Sequence, residues 1–153
     1  MIIRNEQNLG DIMHRVFGVK ENETYFDRKG AYIIPIKENK VAVVQTPKGY
    51  FLIGGGLENG ENDKVGIERE CMEETGYSVL VKDKVCSAET FYFEPSIGFF
   101  HPIQVYYSGD LLDMVQMPKE KDHKLVWVEY AAIIGNMYHE MQSWAIEQIW
   151  NGI

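Results

Sequence analysis

The sequence predicts an α/β (α+β) fold in which a mixed β-sheet is packed against helices. Three observations carry this expectation: β-branched and aromatic runs punctuated by turn residues, a central helix with stop and start signals, and a C-terminal stretch with apolar residues at helical spacing.

Taken in order, Leu9, Ile12, Met13, Val16 and Phe17 recur at a helix-like spacing, so Leu9 to Val19 is read as the first helix. Ala31 to Ile36 is a strand, Glu38-Asn39-Lys40 a turn, and Val41 to Thr46 a second strand. Pro47-Lys48-Gly49 turns the chain into Tyr50 to Ile53, after which three glycines and a polar loop follow. A helix spans about Asp63 to Thr75, with Asn62 or Asp63 able to cap its start and Gly76 its end. Further strands are expected at Ser78 to Val81, Val85 to Phe93, Ile103 to Tyr107 and Leu125 to Val128. The last element is a helix from Met137 to Trp150, whose Met141, Trp144, Ala145, Ile149 and Trp150 form a core face with no chemistry assigned to it.

With 153 residues, 45% of them hydrophobic and 25% charged, one globular domain over residues 1–153 is expected. No repeat or linker divides the chain. Its longest apolar runs are too short to span a bilayer, and its first residues lack the features of a secretory signal, so a cytoplasmic location is the default. Cys71 and Cys86 are too few for a disulfide framework and are read as reduced core thiols. Fifteen basic and 23 acidic residues give a formal charge of −8, which argues against nucleic acid as a partner. It also means that a phosphate-bearing substrate requires a cation or a local gathering of basic side chains.

The segment Gly54 to Tyr77, GGGLENGENDKVGIERECMEETGY, stands apart. On one helix, Glu73 and Glu74 each fall within roughly 60° of Glu70, so three carboxylates crowd one face, while Ile67 and Cys71, one turn apart and read as the opposite side, can anchor the helix. A solvated acidic face is the plain alternative. It leaves the like charges Glu70 and Glu74 at i, i+4, which repel, and Arg69 offsets only part of that. A divalent cation resolves the remainder, because clustered carboxylate oxygens suit magnesium. The glycines before the helix permit close approach of backbone to a ligand.

Together these residues resemble the Nudix box of the MutT-like hydrolases. The pattern is met by Gly55, Glu61, Arg69, Glu70, Cys71, Glu73, Glu74, Gly76 and Tyr77, and its seven fixed identities all agree. A chance match is on the order of 10⁻⁸ per starting point. Two departures are Ile53, where many relatives have Pro, and the less typical Cys71 and Tyr77 at the apolar positions.

The resemblance implies an α/β/α sandwich with the mixed sheet between helices. It implies a pyrophosphohydrolase that uses Mg²⁺ or Mn²⁺ to cleave a diphosphate bond in a nucleoside diphosphate linked to another group. Glu70 and Glu74 are expected to be the principal metal ligands, with Glu73 assisting and the Gly54 carbonyl as a backbone ligand. Arg69 is expected to orient the helix carboxylates and Glu61 to be structural, while Gly55 and Gly56 border the substrate. The general base is Glu70 or a glutamate from a later loop. Glu120, before Trp127-Val128, is the leading candidate there, and Glu94, His101 and His123 are weaker ones. Tyr92 is a candidate substrate contact, and Phe99, Phe100 and Trp127 could stack a base. Lys48 and Arg28 could meet phosphates but are read as exposed turn residues. The resemblance also allows for a homodimer. The rival readings are a nucleotide or sugar-nucleotide sensor without turnover and an isomerase on the same fold. The intact glutamates count against the sensor. The complete box, with no evident Cys-plus-Glu pair, counts against the isomerase. An RNA-processing role fits poorly with the acidic charge.

Overall fold

A computed structural model describes residues 6–9 and 12–152. The segment read as lacking a secretory signal lies almost wholly outside these residues. Strand β1 (Glu6–Leu9) pairs antiparallel with β2 (Ile12–Gly18), which runs parallel to β7 (Tyr77–Glu94). β7 pairs antiparallel with β8 (Gly98–Met114), and β8 runs parallel to β3 (Phe26–Lys37). A tight turn leads from β3 into β4 (Lys40–Thr46), which pairs with β5 (Gly49–Phe51) and with β9 (Lys124–Glu129). The short β6 (Ile53–Gly56) pairs with β3. The sheet is therefore mixed, in the order β1-β2-β7-β8-β3-β4-β5 with β6 and β9 attached to β3 and β4. Helices α1 (Asp63–Thr75), α2 (Tyr130–Ile133) and α3 (Glu140–Asn151) complete the described elements.

The two-residue period of β3 and β4 sorts their side chains between two cores. Ala31, Ile33, Ala42 and Val44 pack with Ile53 and with Ile67 and Cys71 of α1. Ile34, Val41 and Val43 pack instead with Met141, Trp144, Ala145 and Ile146 of α3. Sheet strands thus lie between α1 and α3, as expected. Each fully buried aliphatic side chain contributes about 1.5–3 kcal/mol of burial free energy, and Ile67 and Cys71 are fully buried one turn apart. That pair locks the rotation of α1 about its axis, which decides where its glutamates point. Cys71 and Cys86 are free and buried, and burial lifts their thiols to about 11 and about 12. Among the described residues no helix is long and apolar enough to cross a membrane.

Three expectations are corrected. The helix read over Leu9 to Val19 is instead strand, β1 and β2, with residues 10 and 11 of that span outside the described residues. β2 uses both faces, Phe17 entering the core against Trp144 and His14 being buried beside Ser87 on the other face. Apolar and polar residues buried on both sides imitate a helical period, and pairing with β7 overrides it. The three glycines are not loop but part of β6. Finally, the strands expected at Ser78 to Val81 and Val85 to Phe93 are one strand, because Lys82 and Asp83 lie at a β-bulge rather than a turn.

Candidate active site

The site is assembled from α1, β6, β3, β8 and the turn before β9. At the start of α1 the Asn62 side chain accepts the Val65 N–H at 2.9 Å, and at its end Gly76, with φ +78°, returns its own N–H to Met72. Such an N-cap contributes about 1 kcal/mol. Between the caps, burial of Ile67 and Cys71 turns Glu70 and Glu74 toward β6.

The glycines of β6 make room for them. A Cβ on Gly55 would lie 2.7 Å from the Glu70 carboxylate carbon, and one on Gly56 would lie 2.1 Å from Arg28 Nε. Gly54 has φ +146°, where a side chain would also strike the β3 backbone. Its N–H donates to Glu74 Oε1 at 3.0 Å, and His123 Nδ1 lies 3.1 Å from Glu74 Oε2. Glu74 is only 6% exposed. Burial raises its carboxyl to about 8, against the opposing Gly54 N–H and helped by the charges of Glu70, Glu120 and Glu73. Burial likewise raises Glu70, while Arg69 opposes the rise.

Arg69 acts as a bracket beside this pair. Its Nε and Nη2 bind Glu61 bidentately at 2.7 and 2.9 Å, and Nη2 also donates to the Gly56 carbonyl at 3.2 Å. Nη1 reaches Glu70 at 3.0 Å and Glu73 at 3.4 Å. The guanidinium hydrogen bond holds the Glu61 carboxyl down at about 2. Glu61 thereby orients Arg69, and Arg69 orients Glu70.

A cleft of roughly 340 Å³ opens over these groups. At one end lie Glu70, Glu74, Gly54, Gly55, Gly56 and Arg28, and Phe51, Tyr92, Phe100 and His139 bring rings to the same cleft. Arg28 is its one Lys or Arg side chain, and no ion pair binds it among the described residues. It belongs to β3 rather than to an exposed turn. In a chain of charge −8, an unpaired guanidinium beside a carboxylate pair is a place for an anion. Glu70 and Glu74 supply only oxygen donors, the set a hard divalent cation takes. Among the described residues no three His, Cys, Asp or Glu side chains are drawn together around one point.

The cleft gathers Glu70, Glu74, Gly54, Gly55, Gly56, Tyr92, Arg28, Phe100 and His123 from the residues singled out in the sequence. Glu73 faces Arg69 outside the cleft. Glu120 sits in an exposed turn whose N–H groups cap the Glu73 carbonyl, and that turn delivers His123 to Glu74. Glu94 lies at the tip of the β7–β8 hairpin, where it accepts from Ser96. His101 is on the opposite face of the sheet, bonded to Asp27 and Glu89. Phe99 packs there against Tyr25, Phe100 lines the cleft, Lys48 borders an adjoining pocket, and Trp127 lies away from both. Tyr32, Gln104, His139 and Gln142 were missed. Alternation along β3 and β8 could have placed Arg28, Tyr32 and Gln104 on one face, but their strand partners are not written locally.

The chain matches the NUDIX domain family over residues 26–148. A comparison with curated proteins finds no match. Among solved structures, a NUDIX hydrolase from Nitrosomonas europaea superposes with a TM-score of 0.68 at 19% identity, over 83% of this chain and 90% of the other. The MutT protein from Methanosarcina mazei gives 0.65 at 18%, over 86% and 98%. An ADP-ribose pyrophosphatase from Streptococcus suis gives 0.63 at 15%, over 82% and 90%. With the family match spanning most of the chain and the box residues gathered at one cleft, the protein belongs to the Nudix family.

Proposed function

We propose that the protein is a divalent-metal-dependent pyrophosphohydrolase that cleaves a diphosphate bond in a nucleoside diphosphate linked to another group. The observation that carries this reading is the pairing of Glu70 and Glu74, desolvated and facing one cleft, with an uncompensated Arg28 beside them. Both carboxyls are raised because burial outweighs the Arg69 and Gly54 hydrogen bonds that favour their charged forms, so holding both as carboxylates there needs further positive charge. A cation resolves that deficit and lets an acidic protein hold a polyanion. The name of the Streptococcus suis structure, an ADP-ribose pyrophosphatase, supports diphosphate chemistry on this fold.

Glu70 and Glu74 would hold Mg²⁺ or Mn²⁺, with the Gly54 carbonyl as a further ligand, while Glu73, turned to Arg69, would assist at most from outside the cleft. Bound there, the ion would neutralise phosphate charge and acidify a water. The protein's own groups do the rest. Arg28 grips a phosphate oxygen and holds the diphosphate in the cleft. Glu61, through Arg69, holds Glu70 in place. Glu70 is the base that takes the proton of the attacking water, since it lines the cleft and Glu120 does not.

The test is release of phosphate products from nucleoside triphosphates, oxidised nucleotides, ADP-sugars, dinucleoside polyphosphates and NADH, with Mg²⁺ and with chelator. Metal-dependent turnover of at least one is expected. Tight binding of a nucleotide with no turnover of any would replace the hydrolase by a sensor. Arg28→Ala is expected to raise KM about tenfold or more, the loss of one charge-assisted phosphate contact. An unchanged KM would remove Arg28 from the substrate site.

A further inference from the structure

Beyond the carboxylates, the cleft contains a chain of hydrogen bonds that the diphosphate reaction does not use. It begins at the Leu52 backbone N–H, which donates to Gln142 Oε1 at 2.9 Å. A backbone N–H can only donate, so the atom it meets must be the amide oxygen, and the orientation of Gln142 is thereby set. Gln142 Nε2 donates in turn to Gln104 Oε1 at 3.1 Å, where the Tyr106 hydroxyl also donates at 2.7 Å. With its oxygen committed to two donors, Gln104 must turn its amide nitrogen the other way, toward the Tyr32 hydroxyl oxygen at 3.4 Å. The Tyr32 oxygen accepts, and its own proton is left to point elsewhere.

Gln142 and Gln104 are 1% and 6% exposed, so neither amide can rotate freely into solvent. All three side chains line the cleft. The Tyr32 proton and the second N–H of Gln104 find no acceptor among the described residues. Burial, followed by the charge of Glu74, holds the Tyr32 phenol protonated, well above its ordinary value. The cleft therefore presents hydrogen-bond donors whose direction is fixed from the backbone outward. They share it with the rings of Phe51, Tyr92, Phe100 and His139, with Tyr92 and Phe100 edge to face at 5.7 Å. A flat group held by those rings and bonded by those donors is a nucleobase.

We propose that Gln142, Gln104 and Tyr32 form an orientation-locked donor relay that makes the cleft select nucleotides with a ring carbonyl, of the hypoxanthine, guanine or uracil type, over their amino counterparts. The proposal rests on the nucleotide reading of the cleft. Hypoxanthine turns an oxygen acceptor toward the donors, whereas adenine turns an N–H₂ donor toward them and leaves buried N–H and O–H groups unpaired. The same logic separates uracil from cytosine.

Calorimetric titration of inosine monophosphate and adenosine monophosphate into the full chain tests this, because neither ligand has a diphosphate to cleave. Inosine monophosphate is expected to bind about tenfold or more tighter. In Tyr32→Phe, which keeps the ring and removes the proton, the ratio is expected to fall toward one. Equal affinities, tighter adenosine monophosphate, or a ratio unchanged in Tyr32→Phe would overturn the proposal. Uridine and cytidine monophosphates on the wild-type chain repeat the comparison should the variant not fold, and a ratio of one would again overturn it. If no nucleotide diphosphate is hydrolysed but the carbonyl preference holds, the hydrolase reading fails and the relay stands. If hydrolysis proceeds without the preference, the relay alone fails.

Discussion

Glu70→Gln and Glu74→Gln are each expected to lower kcat by about a thousandfold or more, equivalent to about 4 kcal/mol of barrier, while the protein stays folded. Glutamine keeps the size and shape of glutamate and removes only the charge. At position 74 its amide oxygen can still accept the Gly54 N–H that Glu74 Oε1 now takes at 3.0 Å. At position 70 it loses the charge-assisted bond to Arg69, yet Arg69 remains clamped to Glu61 through two bonds. The local frame is therefore retained, and the loss falls on cation and substrate and, at position 70, on proton transfer from the attacking water. Glu73→Gln is expected to cost tenfold or less, because Glu73 faces Arg69 at 3.4 Å outside the cleft. Turnover at saturating substrate, with a thermal melt for each variant, measures the contrast. If either cleft variant kept turnover within about tenfold of wild type, that glutamate would not hold the cation.

The contrast between these glutamates marks where the sequence was legible. Helical spacing puts Glu70, Glu73 and Glu74 on one face, and α1 has the bounds expected for it, since caps and core anchors are local signals. Which of the three looks into the cleft depends on Arg69 and on β6 passing alongside, and these contacts cross 13 to 20 residues of chain. The Gly54 to Gly56 run declared close approach, but not that it would be a strand paired to β3. His123 and Arg28 stand in the sequence only as residue types, because no local pattern says that the turn at 120–123 folds onto Glu74 or that Arg28 overhangs Gly56. Gln142 was hidden for another reason. It lies beside Met141 on a helix whose apolar stripe explains itself, and a buried amide on such a helix acquires meaning only once Leu52 and Gln104 are placed against it.

In chelator, the wild-type protein is expected to lose stability relative to Glu74→Gln as pH rises from about 5 to about 8. The Glu74 carboxyl has an ordinary value of 4.5 and is raised to about 8 in the fold, first by burial. The folded state thus binds a proton that the unfolded state releases. The protonated carboxyl's contribution is fully present below 4.5 and is lost as pH rises through about 8. Above that range the fold must carry a buried charge beside Glu70. Glutamine, neutral at every pH, carries no such charge, so the difference between the two melting curves isolates this group from others that titrate. Its size is a few kcal/mol at the alkaline end. Saturating Mg²⁺ is expected to close the gap from the wild-type side, because an ion bound to the folded state stabilises it by mass action and compensates the same charge. The variant, lacking the charge, gains less. A gap that did not widen with pH in chelator would mean that Glu74 is solvated as an ordinary carboxylate. A gap that widened but ignored Mg²⁺ would mean that the buried charge is real and that the cation settles elsewhere.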